Sequence, residues 1–87
     1  MKVNAVMPID ERHSVEIGEA SWGDGSVSIR NRYATSTGGF SPHSSSEVPV
    51  NDLAPMIRFA AQHDAIPVLL CAEMIEMLAA SIRRRTR

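Results

Sequence analysis

Apolar and polar residues alternate through three segments in the first part of the chain, a pattern that predicts strands with one apolar and one polar face. The segments are 2–7, 14–20 and 27–33. In the second segment, Val15 and Ile17 alternate with polar neighbours. Pro8 follows the first segment, which is typical of an edge strand that ends in a turn.

The third segment carries a different polar face. Val27 and Ile29 alternate with Ser28, Arg30 and Arg32. The returning strand therefore has one apolar face and one face that carries arginines. We expect those arginines to lie in water or against a partner.

The sequence also predicts the connections between these segments. The sequence Trp22-Gly23-Asp24-Gly25 predicts a hairpin, because glycine accepts the positive φ of tight turns. Residues 34–46 are rich in Ser, Thr and Gly and predict a long loop anchored by Phe40. The short segment 47–50 is the candidate for a further strand.

After residue 50 the pattern changes to helical spacing. Asp52 suits the N-cap of a first helix, and Pro55 is tolerated in its first turn. That helix is expected to end near His63 or Asp64. Its apolar stripe, which we expect to face the sheet, is Leu53, Met56, Ile57, Phe59 and Ala60.

A second helix is predicted from Pro67, at its first helical position, to about Arg85. Its apolar residues surround most of its circumference, which is wider than the single face of a surface helix. The helix is therefore either central and mostly buried or part of an interface with a second molecule. The residues that would form this dimer or core surface are Leu70, Met74, Met77 and Leu78.

These elements predict an α+β fold: a small antiparallel sheet of three or four strands followed by two helices, with the C-terminal helix long and mostly buried. The 87 residues fit a single domain, 1–87. Within it we expect a β-rich part at 1–50, helices over 51–85 and a basic tail at 83–87.

Charge is distributed unevenly along the chain. All ten acidic residues but only five basic ones precede residue 83, so that part carries −5, and the last five residues carry +4. One or two cations at a helix C-terminus are explained by the helix dipole, at about 0.3–1 kcal/mol each. The remainder are either a solvated end or an anion-contacting tail. This tail is Arg83, Arg84, Arg85 and Arg87.

No catalytic or metal-binding motif is present in the sequence. His13, His43 and His63 lie in separate segments, and a single cysteine, Cys71, leaves no zinc signature. The serines beside His43 lack a positioned base and an oxyanion hole. We therefore expect no enzymatic activity, no metal and no cofactor.

Several features suggest the cytoplasm. The N-terminal residues lack the continuous apolar stretch of a secretory signal. Glu73 and Glu76 interrupt the apolar run 66–82, so it is not expected to span a membrane. Cys71 lies within that apolar run and fits a reducing compartment.

The function that this profile favours is contact with another protein. Acidic side chains are expected to mimic phosphates and to engage a basic groove of a partner that handles nucleic acid. The residues proposed for this are Glu16, Glu19, Asp24 and Glu47. Inhibitors encoded by phages and mobile elements, including anti-restriction and anti-CRISPR proteins, are similar in size and charge.

Two alternatives remain open at this point. In the first, Arg30, Arg32, Tyr33 and the C-terminal arginines bind nucleic acid, since arginine pairs with phosphate and tyrosine stacks on bases. In the second, the chain is a structural homodimer held by its second helix.

Overall fold

The computed structural model describes residues 1–37, 39, 41 and 45–86. The chain divides into two compact units, Met1–Leu53 and Ala54–Arg87. The predicted α+β class is confirmed, with four strands followed by two helices. The roles expected for Phe40, His43 and Arg87 concern residues outside this description, and the single-domain organisation stays a prediction.

Four strands form one antiparallel sheet. They are β1 (Lys2–Pro8), β2 (His13–Glu19), β3 (Val27–Tyr33) and β4 (Ser46–Pro49). Their order in the sheet is their order in the chain, β1-β2-β3-β4. The three alternating segments and the short segment 47–50 predicted the four strands to within one residue at each end.

Side chains of the turns hold the hairpins in place. The Asp10 carboxylate accepts hydrogen bonds from the backbone N–H groups of Arg12 and His13, each at 2.9 Å. Between β2 and β3, Gly23 and Gly25 have φ of 77° and 78°, as the glycine-rich turn predicted. Both conformations are in the left-handed region that a side chain disfavours.

The buried residues of β2 and β3 lie on the polar side of the sheet. Ser28 is fully buried and Glu16 is only 9% exposed, whereas the one buried hydrophobic residue among those described is Ala20. Arg30 lies opposite Glu16 in the register, and its guanidinium Nη2 is 2.6 Å from the Glu16 carboxylate. The expectation that Arg30 would lie in water or against a partner is therefore corrected, because Glu16 supplies its counter-charge.

Gly18 permits a close approach between β1 and β2. A Cβ at this position would overlap the carbonyl oxygen of Lys2 and lie 2.9 Å from the Cα of Val3. The register of the two strands shifts between Val3 and Ala5, which brings this backbone against Gly18. Both neighbours are backbone atoms, so a larger residue at 18 requires β1 to move.

The two helices begin and end close to the predicted positions. A 3₁₀ turn, Val50–Asp52, leads directly into α1 (Leu53–Gln62), and α2 spans Val68–Arg85. Asp64, with φ of 53°, ends α1: Ala65 N–H bonds to Ala60 O at 2.9 Å, as in a Schellman motif. Pro67 is the N-cap of α2 rather than its first helical residue, because its ψ of 146° is extended.

The length predicted for α2 is confirmed, but its burial is not. Within the described part of the chain, neither helix contains a buried residue. Val68 is 88% exposed and Ile75 is 69% exposed. The apolar residues of α2 show which of its surfaces favours burial, but the sequence pattern does not identify what would cover that surface. Among the described residues, no helix is long and apolar enough to cross a membrane.

We expect Gly18→Ala to lower the free energy of unfolding by about 1–3 kcal/mol, the usual cost of forcing a group into a closely packed site. Urea denaturation followed by the fluorescence of Trp22, which lies in the hairpin beside β2, measures this. The neighbouring control Glu19→Ala changes an exposed side chain and should stay within about 0.5 kcal/mol of wild type. Equal stability of Gly18→Ala and wild type would show that β1 does not approach Gly18 closely.

Candidate interaction surface

One face of the sheet carries a continuous apolar surface. In the register, Ala5 lies opposite Ile17, Ile17 opposite Ile29, and Ile29 opposite Val48, so one row of apolar side chains crosses all four strands. Directly opposite residues share a face of the sheet. We call this surface the apolar sheet face; its residues are Ala5, Met7, Val15, Ile17, Val27, Ile29 and Val48.

Much of the apolar sheet face is open to solvent. Met7 is 57% exposed and Ile17 is 39% exposed. Val15 and Ile29 are half-buried. Contiguous apolar surface that is left exposed on a soluble protein commonly marks an interaction site. Complete burial of one such side chain contributes about 1.5–3 kcal/mol, so a few of them suffice to drive association.

One end of this face is polar and aromatic. His13 and Tyr33 lie opposite each other on β2 and β3, with ring centroids 4.2 Å apart and an interplanar angle of 9°. The Nε2 atom of His13 hydrogen-bonds to Oδ1 of Asn31, which lies opposite Val15 and so shares the face. Glu19, opposite Val27, lies at the other end. An apolar centre with a polar rim is the usual anatomy of a protein interface.

The four acidic residues predicted to mimic phosphates do not form one surface. Glu16 and Glu47 point to the polar side, where each is paired with other groups, whereas Glu19 lies on the opposite face. Asp24 lies in the β2–β3 hairpin, where the hydroxyl and backbone N–H of Ser26 lower the pKa of its carboxyl group. Their proposed contact with a partner stays a prediction.

Glu47 organises the polar side of the sheet. Its Oε2 accepts a hydrogen bond from the backbone N–H of Ser21 at 2.9 Å and from the hydroxyl of the buried Ser28 at 2.8 Å. These hydrogen bonds favour the charged carboxylate and so lower the pKa of Glu47, and the bond from the backbone N–H of Ser21 has the largest effect. Glu47 therefore connects β4 to β3 and to the turn after β2.

The basic residues singled out by the sequence lie on two elements, β3 and α2. Arg30 and Arg32 lie on the polar side of β3, and Tyr33 lies on the other face, stacked on His13. Arg83, Arg84 and Arg85 form the last turn of α2 and are exposed. Within the sheet, Tyr33 therefore does not share a base-stacking and phosphate-binding face with Arg30 and Arg32.

The residues predicted as a dimer or core surface all lie on α2. Leu70, Met77 and Leu78 are exposed, whereas Met74 is half-buried. They are therefore available for contact with another molecule, although the sequence pattern also allowed them to be interior. Their role in dimerisation stays a prediction.

A shallow groove beside the first turn contains a cluster of titratable groups. It is lined by Asp10, Glu11, Arg12, His13 and Tyr33. His13 is already engaged by Asn31 and Tyr33, and the Asp10 carboxylate by the turn. Elsewhere, His63 packs edge-on against Phe59 at 4.6 Å. Across the described residues, no three His, Cys, Asp or Glu side chains are placed to hold a metal ion.

Sequence reasoning did not identify the apolar sheet face as a site. Val15, Ile17, Val27 and Ile29 were recognised as apolar positions, and such positions ordinarily point inward. A signal for the site is present on the opposite face, where Glu16 and Arg30 are opposite charges in register across the hairpin. Such a cross-strand pair stabilises the two strands with their polar side chains together on one face, which leaves the apolar side chains on the other.

We expect Glu47→Ala to lower the free energy of unfolding by about 1–3 kcal/mol, because the buried Ser28 hydroxyl loses its acceptor. Glu47→Gln keeps an acceptor oxygen and should lose less. Urea denaturation monitored by Trp22 fluorescence compares the two variants. Equal stability of both variants and wild type would contradict this role.

The hydrogen bonds of Glu47 also predict that the stability of the protein depends on pH. The pKa of Glu47 is lowered in the folded protein, so its contribution to stability is present above the ordinary value of 4.5 and is lost as pH falls through the lowered value. Wild type should therefore lose more stability than Glu47→Gln between about pH 5 and about pH 3. Identical losses would show that the carboxylate is not stabilised by folding.

Comparison with protein-family models, with curated proteins and with solved structures finds no match for this chain.

Proposed function

We propose that this chain is a non-enzymatic binding protein that acts by contact with another protein. One observation carries the proposal: seventeen large hydrophobic side chains are exposed among the described residues, against a single buried hydrophobic residue, Ala20. Hydrophobic residues make up 44% of the sequence, which is an ordinary content for a globular protein. The apolar material of a normal core is thus present but lies at the surface.

The apolar sheet face is the contact surface in this proposal. It combines exposed aliphatic side chains at its centre with Glu19 at one end and His13, Asn31 and Tyr33 at the other. Apolar burial supplies affinity, and the polar groups at the rim fix the orientation of the partner. Lys2 lies opposite Glu19 in the β1–β2 register. The matching partner surface is a protein patch with an apolar centre.

Net charge favours a basic partner. The part of the chain that precedes residue 83 carries −5, which attracts basic surfaces over a distance. Proteins that handle nucleic acid present such surfaces. A small protein that covers one of them would act as an inhibitor, in the manner of anti-restriction and anti-CRISPR proteins. The negative field steers association in this proposal, and the apolar sheet face provides the contact.

Direct binding of nucleic acid has weaker support. Arg30 makes an ion pair with Glu16, and Tyr33 lies on the face opposite Arg30 and Arg32. The acidic charge that attracts a basic protein also repels phosphates.

Two matched variants test the proposed contact. Ile17→Gln changes an exposed aliphatic residue on the apolar sheet face, and Val6→Gln makes a comparable change on the other face of the same sheet. Wild-type protein is used to capture partners from nuclease-treated extract of the cells that produce it, and the affinity of each variant for the purified partner is then measured by calorimetry.

We expect a nuclease-resistant protein partner that Ile17→Gln binds at least about tenfold more weakly than wild type, as for the loss of a central interface residue. Val6→Gln should bind as wild type does. Recovery that nuclease abolishes, or unchanged affinity of Ile17→Gln, would contradict the proposal. Urea denaturation of both variants separates loss of binding from loss of the fold.

A further inference from the structure

The outer edge of β1 is open to a further strand. Within the described part of the chain β1 pairs with β2 alone, and all seven residues of β1 are exposed. β4, at the opposite edge of the sheet, has four residues and ends at Pro49, which is typical of a protected edge. β1 is longer and carries a charge only at Lys2. An edge strand of this kind is a template for strand pairing.

The hydrogen-bond pattern identifies the backbone groups at this free edge. Ile9 N–H bonds to His13 O at 2.8 Å, across the turn that joins β1 to β2. Such bonds alternate along an antiparallel ladder, so every second residue counted back from Ile9 bonds to β2, as far as the register shift between Val3 and Ala5. Val6 and Pro8 lie between these residues and turn their backbone groups to the free edge. Because proline has no N–H, Val6 offers both a donor and an acceptor there, whereas Pro8 offers an acceptor alone.

Apolar side chains lie on both faces of β1. Ala5 and Met7 belong to the apolar sheet face, whereas Val3 and Val6 lie on the polar side. Val6 is 56% exposed there. A strand with solvent on one face ordinarily alternates apolar and polar residues, and apolar residues on both faces are typical of an interior strand. The composition of β1 therefore fits a strand that has neighbours on both sides.

We propose that β1 pairs with β1 of a second copy of this chain, antiparallel and about a twofold axis at Val6. In this register the two Val6 residues exchange both of their backbone hydrogen bonds. The pairing joins two four-stranded sheets edge to edge, and the two apolar sheet faces become one continuous surface. This contact goes beyond the partner binding proposed for the apolar sheet face and does not depend on it.

The charges beside β1 favour a second copy as the added strand. Lys2 precedes Val6 by four residues, and Asp10 follows it by four. Antiparallel pairing about Val6 therefore brings Lys2 of each copy toward Asp10 and Glu11 in the turn of the other. A parallel pair would instead place the two lysines side by side. Opposite charges on neighbouring strands stabilise their pairing, and like charges oppose it.

The side chains of β1 also fit this register. Val6 lies opposite Val6 on the polar side, and Ala5 lies opposite Met7 on the apolar sheet face. Each is an apolar pair with Cβ atoms about 4.5–5.5 Å apart, and such cross-strand pairs stabilise a sheet. The sequence has no charged residue between Lys2 and Asp10, so the pairing leaves no charge without a counter-charge at its centre.

The oligomeric state tests the pairing. Val6→Pro removes the N–H at the free edge and leaves the bonds of β1 to β2 in place, since Val6 does not donate to β2. The matched control Val6→Gln changes the same side chain and keeps the N–H. Mass is measured by light scattering during size-exclusion chromatography, and Trp22 fluorescence reports whether the sheet remains folded in each variant.

We expect wild type and Val6→Gln to have the mass of two chains and Val6→Pro to have the mass of one chain. A monomeric wild type would overturn the proposal, as would two variants of equal mass. Binding through the apolar sheet face is measured separately, with the captured partner and Ile17→Gln. Failure of one proposal therefore leaves the other standing.

A cysteine cross-link tests the register and decides the matter if Val6→Pro fails to fold. In a Cys71→Ser background, Val6→Cys places two cysteines at the twofold axis with Cα atoms about 5.5 Å apart, within reach of a disulfide. Val3→Cys, on the same side of β1, is the control, because its two copies would be about 20 Å apart at about 3.3 Å per residue. We expect oxidation to convert Val6→Cys into a covalent dimer and to leave Val3→Cys monomeric on a denaturing gel. Cross-linking of both variants or of neither would overturn the proposed register.

Discussion

The polar contacts on one face of the sheet hold its strands together, and that face contains the buried polar residues. Arg30 and Glu16 form an ion pair across β2 and β3, and Glu47 binds the buried hydroxyl of Ser28. Buried polar groups are tolerated only when they are paired, so this network fixes the register of three strands. The aliphatic residues of the same strands lie on the opposite face of the sheet.

The exposed apolar sheet face is the feature of the fold on which the proposed function rests. A chain of 87 residues has a limited core, and small proteins often complete it with another molecule. The sheet unit has an apolar face with a polar rim, and the helical unit exposes aliphatic side chains of α2.

The sequence predicted the bounds of the strands and helices well and the burial of their side chains poorly. Strand alternation, the glycines at 23 and 25, and the prolines at 8 and 67 are local signals, so the strands and helices lie within one or two residues of their predicted bounds. Burial depends on which molecule covers a surface, and no local pattern contains that information. The expectation of a mostly buried α2 rested on apolar residues that surround most of its circumference, a pattern that an interface also explains.

For the candidate site, too, local sequence signals predicted part of the arrangement and long-range strand pairing determined the rest. Alternation placed Val15, Ile17 and Ile29 on one face correctly, but the addition of Ala5 and Val48 required the pairing of β1 and β4, which is a long-range property. Grouping Glu16, Glu19, Asp24 and Glu47 by charge ignored alternation, which separates Glu19 from Glu16. Sequence spacing therefore locates faces within a strand, and the register assembles them into a surface.

The central claim is that the apolar sheet face is uncovered in the free protein. Oxidation of methionine by dilute peroxide tests it most directly, because exposed thioethers react faster than shielded ones. Met7 on this face is exposed, and Met74 on α2 is half-buried, so mass spectrometry of peptides should show Met7 oxidised faster than Met74. Protection of Met7 in the free protein to the level of Met74 or beyond would contradict the account.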